Sequence, residues 1–264
     1  ELILKHNLYK IKNYISQYNG LIKLKENKIN IKYLEKKFLV DGSSEFYIDK
    51  DIENLLNFKI EKNKNSTNFE TFFNLKNIDL KFDDISYHKK IKDNATLKID
   101  GFEKNKTILF KNINFKSDTN EIKIKNLKIN NNKILNIEKI KFDYLTNSNF
   151  KNQITLNKKN NNYELFGNSF DSINLIENIS NSKPGKNFFE IFKNLNTKIK
   201  ININKVKLDE EFTVNSLNGN LEIKNSKIFG LNLNSNFTKN EKLFASIKTQ
   251  KNNAVVTTFY SDRA

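Results

Sequence analysis

Side chains able to do chemistry are few in this sequence, and their spacing gives them little to do together. The two histidines, His6 and His88, are isolated. Neither has a second His or a Cys at metal-ligand spacing, so packing or surface roles fit them better than coordination. The absence of cysteine removes disulfides, thiolate metal sites and a Cys nucleophile. Carboxylates cluster at Asp83-Asp84 and at Asp209-Glu210-Glu211. Such pairs can act as general acid and base. Here they fall at the ends of alternating segments in a basic chain and read as solvated turns. The seven glycines form neither a phosphate-cradling loop nor a dinucleotide fingerprint. Sequons such as Asn65-Ser66-Thr67 are expected by chance in so Asn-rich a chain. The reading is a non-enzymatic protein with no cofactor and no metal.

Charge is the next conspicuous property. The 264 residues carry a net charge of +16. Arg263 is the only arginine, so lysine supplies nearly all of the positive charge. Proteins that grip phosphates or read bases favour Arg, whose planar fork binds them bidentately. Specific nucleic-acid binding is therefore not expected. Lys, Asn, Ile and Phe are encoded largely by A and T, so base composition accounts for much of the bias. The lysines suit a wet outer face, with mild attraction to anionic headgroups.

Nothing in the chain reaches the roughly 18 apolar residues that a membrane helix needs, and no signal-peptide pattern opens it. It begins without Met, and its last residues, Ser261-Asp262-Arg263-Ala264, follow directly on the apolar run Val255 to Tyr260. Both ends read as cut, with any anchor or targeting segment outside this window.

The elements that would position functional groups are mostly strands. Leu4, Leu8, Ile11, Ile15 and Tyr18 recur at helical spacing and end at Gly20, where a cap belongs. Further helices are expected at Asp51 to Asn57, at Asp171 to Ile179 and at Phe188 to Leu195. Elsewhere apolar residues alternate with Lys or Asn, as in Ile29-Asn30-Ile31, Ile122-Lys123-Ile124 and Ile199 to Ile203. That pattern gives strands with one dry and one wet face and favours antiparallel pairing.

A finer motif recurs: two apolar residues one apart, a spacer of two, then two more. It fits Phe73, Leu75, Ile78 and Leu80; Ile108, Phe110, Ile113 and Phe115; Ile122, Ile124, Leu127 and Ile129. It fits again at Leu135, Ile137, Ile140 and Phe142, and at Ile201, Ile203, Val206 and Leu208. Keeping all four on one face requires the strand to absorb one residue as a β-bulge, which bends it. Otherwise each spacer ends one strand and starts another.

The helices are too few to cover a sheet made of most of the chain, and an amphipathic sheet must bury its dry face. The fold expected is mainly β: a long, bent, antiparallel sheet forming an open hydrophobic groove, with a few short helices at its edge. Residues 1–160 would form the groove region with an N-terminal amphipathic helix. Residues 161–264 would form a second module of short helices then strands, continuous with the same sheet. The groove would be lined by the motif residues from Ile108 to Phe142, by Ile199, Ile201, Ile203, Val206 and Leu208, and by Leu221, Ile223, Leu231 and Leu233. An Asp at Ile203 or Leu221 should then hydrate through the open wall.

The last hundred residues resemble the AsmA/TamB-like family, in particular the long YhdP-type members. Gly167-Asn168-Ser169-Phe170-Asp171 leads toward a short helix at Leu175 and Ile176, and a lone alternating strand follows from Lys198 to Leu208. Leu217-Asn218-Gly219-Asn220-Leu221 matches a Leu-any-Gly-any-Leu strand, and Ser261-Asp262-Arg263-Ala264 matches a Ser-Asp-any-Ala tail. From Gly20 to Asp143 only the texture of short amphipathic strands agrees. The resemblance implies a taco-like sheet whose groove passes phospholipid acyl chains between the inner and outer membranes. It also implies a periplasmic location, an inner-membrane anchor outside this fragment, and membrane proteins as partners at the ends of the full chain. The alternative is a globular β-sandwich acting as an envelope interaction module without lipid transport.

Overall fold

The structure is a computed structural model that describes residues 2–5, 12–48, 53–131, 133–180, 196–224, 227–250 and 254–263. It is mainly β, and the chain divides into two compact units. Unit 1 holds residues 1–83 and 87–132, and unit 2 holds 84–86 and 133–264.

Unit 1 contains β1 (Leu2–Lys5), β2 (Leu21–Leu34), β3 (Lys37–Tyr47), β4 (Glu53–Lys62), β5 (Thr67–Asn74), β6 (Leu80–Phe82), β7 (Tyr87–Lys89), β8 (Ala95–Lys104), β9 (Thr107–Ser117) and β10 (Asn120–Asn130). β1 to β5 pair in chain order and antiparallel, β5 pairs with β8, and β8, β9 and β10 follow. β6 and β7 form a separate small pair. Tight turns make this meander possible. Asn105 and Lys106 both take positive φ, 50° and 60°, the conformation a two-residue hairpin of matching twist demands.

Unit 2 contains β11 (Lys133–Asn136), β12 (Lys139–Leu145), β13 (Lys151–Lys159), β14 (Asn162–Asp171), α1 (Ile173–Ser180), β15 (Thr197–Lys207), β16 (Thr213–Lys224), β17 (Lys227–Asn236), β18 (Lys242–Thr249) and β19 (Val255–Ser261). From β12 to β19 each strand pairs with the next. All these pairs are antiparallel except β14 with β15, which is parallel. A hairpin cannot join parallel neighbours; here the connection runs through α1. The Asp171 carboxylate accepts the Ile173 N–H at 3.2 Å, and the first helical bond runs from Ile176 N–H to Ser172 C=O at 2.8 Å.

Two helix expectations need correction. Leu2–Lys5 is strand, with Leu4 opposite Ile22; residues 6–11, including Leu8 and Ile11, lie outside the described part. Residues 13–17 turn rather than continue a helix, and Gly20 (φ 93°) precedes β2 instead of capping one. Glu53–Lys62 is a strand, because Leu56, Phe58 and Ile60 alternate opposite Phe73, Thr71 and Phe69. The helix expected at Phe188 to Leu195 lies outside the described residues. Within Asp171 to Ile179 the helix is present from Ile173.

The doubled-spacer motif resolves both ways. In β9, Asp100 and Gly101 of β8 face Asn112 and Phe110, so Lys111 is the extra residue. In β10 the spacer residue Asn126 takes φ 48°. In β15, Ile203 and Val206 are both buried while Asn204 and Lys205 are both exposed. The first two copies are single strands interrupted at the spacer, and the third is one strand through Val206 with Leu208 just past its end. The copies at Phe73 to Leu80 and Leu135 to Phe142 are instead each divided between two strands.

Candidate functional site

The site begins with register. In unit 2 one row crosses eight strands: Ile140, Leu156, Leu165, Ile201, Gly219, Leu233, Ala245 and Phe259 stand side by side. A second row holds Tyr163, Ile199, Leu221, Leu231 and Ile247. Alternation puts these residues on one face, while Lys198, Lys200 and Asn202 between them are exposed.

Cover along this face is unequal. Ile140 and Leu156 are 7 % exposed and Ile201 is 8 %, whereas Phe259 at the far end is 68 % exposed. Over β12 to β16 the face meets Ile85 and Leu175 of α1. Together with Ile140, Phe142, Ile154, Leu156, Leu165, Phe170, Ile199, Ile201 and Leu221 they line a cavity of about 120 Å³, with Asp84 as its one carboxylate. α1 therefore lies over the face, not at the sheet's edge. Apart from Asp84 its walls are aliphatic and aromatic; cavities of about 150 Å³ hold one benzene-sized guest. Toward β19, Leu231, Leu233 and Ile247 are half-buried and the face opens to solvent.

A polar network pins the cover down. The Tyr144 hydroxyl donates to the Ile85 carbonyl at 2.5 Å and accepts from Asn152 Nδ2 at 2.9 Å. Asn152 Oδ1 accepts the Asp171 N–H at 2.6 Å. Ser86 is held through its carbonyl by Asn147 N–H and through its hydroxyl by Asn174 of α1. Tyr144 and Asn152 are fully buried, so removing one partner strands the others. Tyr144→Phe should lower stability by about 1–3 kcal/mol, read as an earlier thermal unfolding midpoint; an unchanged midpoint would refute the network's role.

The expected lining residues divide clearly. Ile140, Phe142, Ile199, Ile201 and Leu221 meet at the cavity. Ile203, Val206 and Ile223 are buried, and Leu231 and Leu233 continue the rows toward the open end. Leu208 lies just beyond β15, and Leu135 is 45 % exposed while Ile137 is buried. In unit 1, Ile108, Phe110, Ile113, Ile122, Ile124, Leu127 and Ile129 are half-buried and Phe115 is buried. They extend rows such as Val40, Ile60, Phe69, Gly101, Phe110 and Leu127. Ile203 and Leu221, expected to line an open wall, are only 2 % and 7 % exposed. Sequence reasoning missed Ile85, which ends a single 3-10 turn, Asp83–Ile85, too short to show periodicity, and Ile154 and Leu156, whose alternation in Gln153-Ile154-Thr155-Leu156 was available.

The groups first considered for chemistry are dispersed. Among the described residues no group of three or more His, Cys, Asp or Glu is placed to hold a metal ion. His88 Nε2 stands 2.6 Å from Asp79 Oδ1. Asp209 accepts the Glu211 and Phe212 N–H groups in an exposed turn. Asp84, read as solvated, is half-buried beside the cavity. Lys125 and Lys128 are exposed, and Lys123 and Lys207 half-buried. Some lysines are paired: Lys98 meets Glu70 at 2.7 Å. Burial works to raise the Asp143 carboxyl, yet Lys151 and Lys141 at 2.6 and 3.3 Å hold it below the usual carboxylate range. No helix among the described residues is long and apolar enough to cross a membrane. No family model, curated protein or solved structure matches this chain.

Proposed function

We propose that this chain is a non-enzymatic segment of an AsmA/TamB-like envelope protein that carries phospholipids by their acyl chains. In this reading the full protein is anchored in the inner membrane by a segment outside the chain and spans the periplasm. Membrane proteins at its two ends would hand lipid on and receive it. The observation that carries the reading is the eight-strand apolar row of unit 2, covered at Ile140 and open at Phe259. The cavity of about 120 Å³ is too small for an acyl chain. Lipid contact is therefore assigned to the open stretch from Leu231 and Leu233 through Ile247 to Phe259, a groove wall that an acyl chain completes.

Protein purified without added lipid should yield phospholipid on extraction with organic solvent, at about one chain or more per molecule. Recovery of a lipid-free, stably folded monomer would count against the groove. It would instead favour a globular interaction module, a reading supported by the way Ile85 and Leu175 already fill the covered stretch.

A further inference from the structure

The hairpin joining β2 to β3 in unit 1 carries an apolar face that solvent reaches. Ile29 is 53 % exposed, Ile31 62 % and Tyr33 72 %, and Phe38 directly opposite Tyr33 is 40 % exposed. Exposure thus rises along the strand toward the turn at Glu35 and Lys36. Lys28 and Lys32 alternate with these residues, so they project from the other face, and Lys36 occupies the turn. Over residues 28–38 four lysines stand against the single carboxylate Glu35; one of them, Lys37, bonds Glu61 at 3.1 Å.

Clustered apolar exposure of this kind marks an interaction surface. An apolar face with an amphipathic aromatic at its end and lysines on its back has the chemistry of an interfacial membrane element. Lysine stems can lie along apolar surface while their ammonium groups reach phosphates. We infer that this hairpin lies in the headgroup region of a bilayer containing anionic phospholipid, with Ile29, Ile31, Tyr33 and Phe38 at the acyl boundary. The excess of lysine selects an anionic surface over a neutral one or a cationic partner. This docking goes beyond the carriage of acyl chains in unit 2 and does not rest on it.

The chain lacks tryptophan, so Tyr33→Trp introduces a single reporter, and Phe166→Trp gives a control in unit 2, at a residue 41 % exposed and opposite Asn202 on the lysine-rich face. The protein should sediment with phosphatidylcholine vesicles containing phosphatidylglycerol and not with pure phosphatidylcholine vesicles. Binding should weaken as salt screens the lysines. The reporter at position 33 should shift to the blue on binding, and the one at 166 should not. Replacing Lys28, Lys32 and Lys36 together by Gln should weaken binding about a hundredfold, at roughly fivefold per lysine. Ile31→Ser with Tyr33→Ser should abolish sedimentation while leaving circular dichroism and thermal midpoint unchanged, because both side chains are exposed. Three results would overturn the inference: no dependence on phosphatidylglycerol, a shift at 166 without one at 33, or a shift at 33 that grows with protein concentration in the absence of vesicles. The last would mean that a second copy covers the hairpin. Phospholipid in the solvent extract reports on unit 2 separately, so either reading can fail without the other.

Discussion

Ile203→Asp should unfold unit 2 or cost it roughly 4 kcal/mol or more. Ile203 is 2 % exposed and stands between Gly167 and Leu217 on the covered face. Deleting the buried aliphatic side chain alone costs about 2–5 kcal/mol. The carboxyl adds a desolvation penalty, which it escapes only by staying protonated. Phe259→Asp in the same sheet, at 68 % exposure, should change stability by no more than about 0.5 kcal/mol. Urea unfolding midpoints for the two variants decide the matter, and equal midpoints would contradict the gradient of cover. Should unit 2 carry lipid, Phe259→Asp would also diminish the phospholipid recovered while the fold persists.

Lys89→Met should destabilise unit 1 by about 2–3 kcal/mol. Lys89 is 1 % exposed, and its ammonium donates to the carbonyls of Leu75, Lys76 and Ile78 at 2.6, 2.7 and 2.7 Å. Leu75 and Lys76 carbonyls retain backbone donors in Ile78 N–H and Lys92 N–H, which keeps the loss below that of three orphaned acceptors. The same residue gives a pH signature. Burial pushes the ammonium down to about 8, against the pull of Asp93, Asp79 and Asp118. Between about pH 8 and the 10.5 of an ordinary lysine, the unfolded chain keeps a proton that the folded chain has released. This position's contribution to stability therefore rises with pH across that window. Chemical denaturation at the two ends of the window should show the rise in the parent chain and its loss in Lys89→Met. A variant that keeps the full rise would assign it to another group.

Alternation made much of the fold legible. The run Ile199 to Ile203 reads directly as a strand with one dry face, and β15 has that burial pattern. The spacer motif told that four apolar residues share a face, but not whether the chain bends or breaks between them. Lys111 and Asn126 are absorbed within strands, whereas Ile137 and Glu138 separate β11 from β12, because pairing with neighbours decides the outcome. Leu4, Leu8 and Ile11 suggested a helix through spacing alone, while Leu2 and Leu4 also satisfy the strand period, and pairing with β2 selects it. The direction of β15 relative to β14 was not legible: both strands alternate, which ordinarily signals antiparallel neighbours. The cover was least visible of all. Ile85 is distant in sequence from the face it touches, and a single 3-10 turn is too short for periodicity to mark it.

The parallel pairing of β14 with β15 sets a timetable for synthesis. Once β14 has left the ribosome it can zip onto β13 through a hairpin, but its other edge has no local partner. Residues 172–196 and then β15 itself must emerge first. At about 5–20 residues per second that edge stays open for a few seconds, with Tyr163, Leu165 and Phe170 beside it. An uncovered strand edge is a template for the wrong partner, and closing a long connection is a slow step in forming contacts distant in sequence. Nascent-chain aggregation should therefore peak for chains halted between β14 and β15 and fall once β15 has been made.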